Sequence, residues 1–240
     1  MWIDLTAVPD RLEQVCLLCE SASLALKSWG YRPGDMMTVR APDGACFRGR
    51  LMVDRQSVLI REFLDRRVEP LYPRCLYQAI PNRERMRWII EKAVELGVTT
   101  IQPVSSEKSY DKSNQKPKQD KSTTWNKVVC RAARQCRRGV IPSLKPVDSI
   151  EKIVHTLPEH VAAFALDLPG VGVVPLTHVE KQEHTHGYHL FVGPEGGWSA
   201  AEQALFDSNG IQRINLGMRV LRTETAAVAV LAVLETYLTS

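Results

Sequence analysis

A chain of 240 residues, 44% of them hydrophobic, is long enough to bury a substantial core, either in one large domain or in a small domain joined to a larger one. No apolar run approaches the length that crosses a bilayer, and the opening MWIDLTAVPDRLEQ lacks the charged start and apolar middle of a signal peptide, so a soluble, cytoplasmic protein is expected. The net charge of +4 is modest, yet residues 108–138 hold ten Lys/Arg against two Asp/Glu, a local +8 that leaves the remainder at −4. Positive charge gathered in one place favours a polyanionic partner over a generally cationic surface.

The first apolar-spaced segment, LEQVCLLCESASLAL, reads as a helix. It contains Cys16 and Cys19, a CxxC pair with no second pair or nearby histidine to complete a zinc site. With Cys46, Cys75, Cys130 and Cys136 they show no framework spacing, and reduced thiols are expected. Residues 31–64 then alternate short β-type runs (MTVR, CFRGRLMV, SVLIREF) with PGD, PDG and DRQ turns, the pattern of a small all-β module. The pattern changes around Pro70 to Pro73, which places a boundary near residue 70 and divides the chain into domains 1–70 and 71–240.

Beyond the boundary, strands and helices alternate. CLYQAI (75–80) is a strand, and RERMRWIIEKAVELG puts Met86, Ile89, Ile90, Ala93 and Val94 on one helical face closed by Gly97. TTIQPV is the next strand. Residues 105–123 contain no large aliphatic side chain and read as a mobile polar loop rich in lysine. Trp125, Val128, Val129, Ala132, Ala133 and Cys136 recur at the helical period, and Lys127, Arg131, Arg134 and Arg138 fall on the opposite face of that helix. Strands VAAFAL (161–166), HLFVG (189–193) and INLG, a helix over 200–208 stopped by Gly210, and a last helix from Thr225 complete the count. Alternating β and α with apolar strands predicts an α/β fold whose mostly parallel sheet is covered on both faces. The last helix is apolar almost all round, which suits burial on more than one side and a subunit interface.

Two loops concentrate chemistry. In HLFVGPEGGWSAAE, Ser199 and Glu202 have capping-box spacing, so a helix should begin at Ala200 and Gly193 to Trp198 should form the loop at a strand end, where open α/β sheets bind ligands. Glycines let a ligand approach the backbone and proline fixes the turn, although a tight β-to-α turn with no ligand satisfies the same pattern. LGMRVLRTETAA (216–227) also runs from strand to helix and gathers Arg219, Arg222, Thr223, Glu224 and Thr225; solvated charges at an ordinary cap are its plain alternative. Neither loop suits phosphate: the first lacks the Walker A lysine and carries a glutamate, and GVGVVP (170–175) opens no helix. A ligand held by backbone amides and apolar walls, with a positive reactive centre, fits better.

GPEGGWSAAE followed by LGMRVLRTETA resembles the paired C-terminal motifs of the RsmE family, the 16S ribosomal RNA uridine-N3 methyltransferases of the SPOUT superfamily. The likeness extends to RPGD in the β module, ELGV at 95–98, SEKS at 106–109 and AARQCRR at 132–138. It implies a PUA-like β-barrel that docks RNA, then a trefoil-knotted methyltransferase domain, a topology that periodicity never suggests because knots are rare. It also implies a homodimer acting on 16S rRNA or the small ribosomal subunit, with S-adenosylmethionine as cofactor and no metal or membrane. The cofactor pocket implied is Leu166, Gly193, Glu195, Gly196, Gly197, Leu216, Gly217 and Leu221, with backbone groups reading the adenine edge and leucines packing on its ring. Arg87 and Arg134 depart from the family pattern, and both add positive charge.

For that reaction, uridine N3 is a poor nucleophile until its imide proton leaves, so positioning and stabilisation of an anion are required. Arg222 is the candidate cation that lowers the imide pKa. Glu224 either takes the proton or orients Arg222. Arg219 is suited to an RNA phosphate, and Lys127, Arg131, Arg134 and Arg138 to the RNA backbone, with affinity falling steeply as salt rises; a solvated surface is the plain alternative. The target base must be unpaired or flipped. Two other readings remain open: a knotted methyltransferase acting on another RNA site, and a non-catalytic RNA-binding protein that keeps the fold. A metal enzyme using His184, His186 and His189 is a more remote third.

Overall fold

The computed structural model describes residues 2–65, 68–109, 122–179 and 185–239. Backbone packing divides the chain into two units, Met1–Leu71 with Lys127–Ile141, and Tyr72–Asn126 with Pro142–Ser240.

In the first unit, β1 (Val15–Leu17), α1 (Glu20–Trp29), β2 (Met36–Arg40), β3 (Cys46–Leu51) and β4 (Ser57–Leu64) follow one another, and the strands form an antiparallel sheet in the order β1-β4-β3-β2. Alternate residues Met37, Val39, Phe47, Val58 and Ile60 point into one core with Ile3, Leu5 and Leu26, as the period-two pattern requires. A register shift opposite Arg48 and Gly49 leaves Arg61 of β4 as the extra residue of a bulge, and a Cβ at Gly49 would stand 3.1 Å from that of Val58. The helix expected over LEQVCLLCESASLAL starts later than its apolar spacing suggests. Val15 to Leu18 alternate exposed and buried, Val15–Leu17 pair with β4, and Cys19 is the N-cap residue of α1, so the CxxC pair straddles a strand and a cap. Pairing with a neighbouring strand has overridden local propensity here. All six cysteines are free thiols.

The second unit contains β5 (Arg74–Ala79), α2 (Arg83–Glu95), β6 (Thr100–Ser105), β7 (Ser143–Leu144), β8 (Asp148–Ser149), α4 (Ile150–His155), β9 (Ala162–Leu166), β10 (Val174–Pro175), β11 (Tyr188–Val192), α5 (Ala200–Ser208), β12 (Gln212–Asn215) and α6 (Thr223–Thr239). Helix α3 (Ser122–Gln135) starts in this unit and its second half belongs to the first. The sheet runs β10-β12-β9-β11-β5-β6-β7, with β8 also on β6, and every pair among the described strands is parallel. All five residues of β11 are buried, as a central strand covered on both faces demands.

Helix α2 buries Met86, Ile89, Ile90, Ala93 and Val94, the face expected from its spacing, and Asn82 caps it by accepting a hydrogen bond from the Arg85 N–H. Helix α5 begins at Ala200 behind a complete Ser199–Glu202 capping box. Helix α6 packs on α2 and begins at Thr223, two residues earlier than expected. The short β7, β8 and β10 carry too few residues for a period to register, and the sequence does not announce them. Most of the lysine-rich loop expected over 105–123 lies outside the described residues. Among the described residues no helix is long and apolar enough to cross a membrane.

Candidate functional site

The sheet order sets β9 between β12 and β11, so the loops that leave their C-terminal ends are neighbours. Together they enclose a cavity of about 330 Å³. Leu166, Gly193, Glu195, Gly196, Gly197, Leu216, Gly217 and Leu221 all line it, as do Arg219 and Arg222. The segments GPEGG and LGMRVLR, separated by eighteen residues in sequence, thus share one pocket. Thr223, which the second loop had offered, also lines it, as do Asp167, Val192, Val220 and Ala226, to which the sequence reading gave no role. Strand ends and the first turn of a following helix are where such residues would be sought.

Close packing and hydrogen bonds fix the walls. The Trp198 indole N–H donates to the Leu166 carbonyl at 2.9 Å, and a Cβ on Gly193 would come within 3.3 Å of that ring. Thr223 Oγ1 donates to the Gly193 carbonyl at 2.6 Å and accepts from Gln78 Nε2 at 3.0 Å, tying the start of α6 to the ends of β11 and β5. Gly197 (φ 65°) and Gly217 (φ 105°) take left-handed backbone that side chains resist. Glu202 accepts from the Ser199 N–H and from the Glu107 N–H, both at 2.8 Å, so one buried carboxylate caps α5 and anchors the SEKS segment. From that segment Lys108 Nζ donates to the carbonyls of Gly196 and Trp198, each at 3.1 Å, and latches the glycine loop.

The charged residues divide into a paired and an unpaired set. Arg85 pairs with Glu195 and reaches Glu224 at 3.5 Å, so α2 holds both acidic residues. Glu224 does not line the cavity, and its Oε2 is buried without a hydrogen-bond partner among the described residues. Arg219 and Arg222 are exposed at the cavity wall, and no ion pair engages either among the described residues; none joins Arg222 to Glu224. Sequence offered no signal for Arg85, because helical spacing marks a buried face but not a cross-chain ion pair.

The basic face expected on α3 is only partly present. Lys127 and Arg131 are exposed. Arg134 is half-buried, donates to the Gly30 carbonyl and lies 5.9 Å from the centre of the Tyr31 ring. Arg138 is not on that face. It lies beyond the end of α3, is 4% exposed, and is paired with Glu69 through its Nε at 3.1 Å and its Nη2 at 2.5 Å, so the reading of Arg138 as an RNA contact is corrected to a buried structural ion pair.

The three-histidine alternative also meets the geometry. His184 lies outside the described residues, His186 is exposed, and His189 is buried in β11 with its Nδ1 2.9 Å from the Tyr77 hydroxyl. No group of His, Cys, Asp and Glu among the described residues is placed to hold a metal. Burial pushes the His189 pKa down from its ordinary 6.5 to about 4. A histidine held neutral contributes stability that is complete above the unfolded-state pKa and is lost as pH falls through the folded value. Between pH 7 and pH 4 the fold is therefore expected to lose about 3 kcal/mol through this residue. Urea unfolding at the two pH values checks it, and His189→Gln should shrink the difference by about that amount.

A parallel α/β sheet with a ligand-sized cavity walled by glycine loops at its strand ends defines an α/β methyltransferase once known proteins are compared. The description "RNA methyltransferase domain" matches residues 68–235. The chain is 34% identical over 161 residues to ribosomal RNA small subunit methyltransferase E of Aquifex aeolicus, covering 66% of each chain. It is 29% identical over 245 aligned positions to the protein of that name from Synechocystis, covering 98% of this chain and 78% of the relative. Its fold matches the crystal structure of ribosomal RNA small subunit methyltransferase E from Neisseria gonorrhoeae bound to S-adenosyl methionine, with a TM-score of 0.69, 26% identity, and 99% and 98% of the two chains covered. The chain belongs to the RsmE family of RNA methyltransferases.

Proposed function

We propose that this chain is a cytoplasmic, S-adenosylmethionine-dependent enzyme that methylates N3 of a uridine in 16S ribosomal RNA. The observation that carries the reading is the convergence of GPEGG and LGMRVLR on one cavity of about 330 Å³, a volume within the range of small-molecule sites. The residues present fit the cofactor. Leu166, Leu216 and Leu221 offer apolar flanks for an adenine ring, and the glycines leave backbone groups open to its edge. When bound, the cofactor supplies a sulfonium methyl group, already a strong electrophile.

The chain's own residues then act on the uridine. Arg222, exposed and free of any described ion pair, holds the N3 anion and favours loss of its proton. Glu224 is anchored by Arg85 rather than by Arg222 and stands outside the cavity lining, which supports neither the proton-accepting nor the orienting role, and the N3 proton passes to solvent. Arg219 at the cavity wall, with Lys127, Arg131 and Arg134, serves the RNA backbone. Residues 1–70 are the RNA-docking, PUA-like barrel, and 71–240 the knotted catalytic domain. A homodimer is supported by α6, which leaves Val233 exposed beside half-buried Val228 and Ala232, and by exposed Trp88 on the α2 that packs with it.

Transfer of a labelled methyl group to naked 16S rRNA and to small-subunit particles, followed by nucleoside analysis, tests the reading. 3-Methyluridine is the expected product, and labelled RNA that contains none rejects the assigned atom. Lys108→Ala, which removes two bonds to the glycine loop, is expected to weaken cofactor binding about fivefold by calorimetry.

A further inference from the structure

A second cavity, also of about 330 Å³, opens in the first unit where the C-terminal end of α3 meets the residues between α1 and β2. Arg131, Arg134 and Arg137 line it, against one lining carboxylate, Asp35, which accepts the Arg32 N–H at 2.8 Å. Arg137 has left-handed backbone (φ 58°), uncommon for a side-chain-bearing residue, and its carbonyl is pinned by Thr38 Oγ1 at 2.5 Å and Arg48 Nη1 at 2.6 Å. Such strain gathers where a side chain must be aimed. The pinning also brings the Arg48 guanidinium beside the Arg137 backbone.

Tyr31 is the second, independent observation. It lines the cavity and is 2% exposed, yet its hydroxyl has no hydrogen-bond partner among the described residues; nor has Arg134 Nε. Burial raises the Tyr31 pKa, so the hydroxyl stays protonated and is a donor. A buried donor without an acceptor is costly unless a ligand completes it. Guanidinium forks with a hydroxyl donor and little opposing charge match the oxygens of a phosphate group.

We propose that this cavity receives one backbone phosphate of the substrate RNA, held by Tyr31, Arg131 and Arg137, with Arg134 fixing the Tyr31 ring from above. The proposal rests on the ribosomal RNA reading and adds to it Tyr31 and Arg137, to neither of which the sequence reading gave a role. The exposed Lys127 one turn before Arg131 favours a polymer, whose neighbouring phosphates it can meet, over an isolated small anion.

Binding of a 16S rRNA transcript, measured over a salt series with cofactor binding and melting temperature in parallel, tests it. Tyr31→Phe removes a neutral donor and is expected to raise the RNA Kd about tenfold without changing the salt slope. Arg137→Gln is expected to weaken binding and lower that slope by about 0.7–0.9. Both should keep the wild-type melting temperature and cofactor affinity. RNA affinity and slope unchanged in both variants overturn the site while leaving the enzyme reading intact, as does tight binding of inorganic phosphate that both variants lose without loss of RNA affinity. Wild-type protein that binds no RNA overturns the parent reading, and this site falls with it.

Discussion

Arg222→Ala is expected to lower kcat by about 10² to 10³-fold and to leave the cofactor Kd within about threefold of wild type. The reason lies in which state the guanidinium stabilises. A neutral uridine gains little from a nearby cation, whereas the N3 anion formed on the way to methyl transfer gains a full charge interaction, so the loss falls on kcat rather than on binding. Arg222 is suited to this because no carboxylate in the described structure neutralises it, while Glu195 and Glu224 are both claimed by Arg85. The residual activity of the variant should rise more steeply with pH than that of wild type, since the imide must then ionise unaided. Arg222→Lys should recover part of the rate. An alanine variant with normal kcat and a normal pH profile removes Arg222 from the mechanism.

Glu69→Ala is expected to destabilise the first unit by about 3–5 kcal/mol, seen as a melting temperature lower by about 10 °C or more. Glu69 accepts not only from Arg138 but also from the backbone N–H groups of Gly139 at 2.9 Å and Val140 at 3.2 Å. Removing it takes a carboxylate from a guanidinium that is 5% exposed and takes an acceptor from two backbone donors. The double variant Glu69→Ala with Arg138→Met should be more stable than Glu69→Ala alone, because a buried charge deprived of its carboxylate has gone. Thermal melts of the three proteins check the order. If Arg138 were a solvated RNA contact, Glu69→Ala would melt like wild type.

The Arg138 result marks where sequence reading ran out. Periodicity correctly separated Val129, Ala132 and Ala133 from Lys127 and Arg131, but it assumed that the helix continued to residue 138 and that a polar face meets water. The chain instead leaves the helix after Gln135, and Glu69, far away in sequence, neutralises the next buried arginine. Local signals fared better wherever the physics is local. The Ser199–Glu202 box set the start of α5, apolar spacing marked the buried face of α2, and the glycines of 193–197 marked one wall of the cavity, whose leucines came from the family resemblance. The pairing of the two loops in one cavity was legible through the family resemblance, since spacing alone permits the loops to face each other but does not require it. Arg85, the Lys108 latch and the Tyr31 cavity depend on contacts between distant segments, and no window of neighbouring residues encodes them.

The central claim is that loops 193–197 and 216–222 jointly hold the methyl donor, and a crystal structure determined with S-adenosylmethionine tests it most directly. The expected density places the adenine between Leu166, Leu216 and Leu221, with the methyl-bearing sulfur turned toward Arg222. Density for the cofactor at another place on the chain, with this cavity closed by its own side chains, would contradict it.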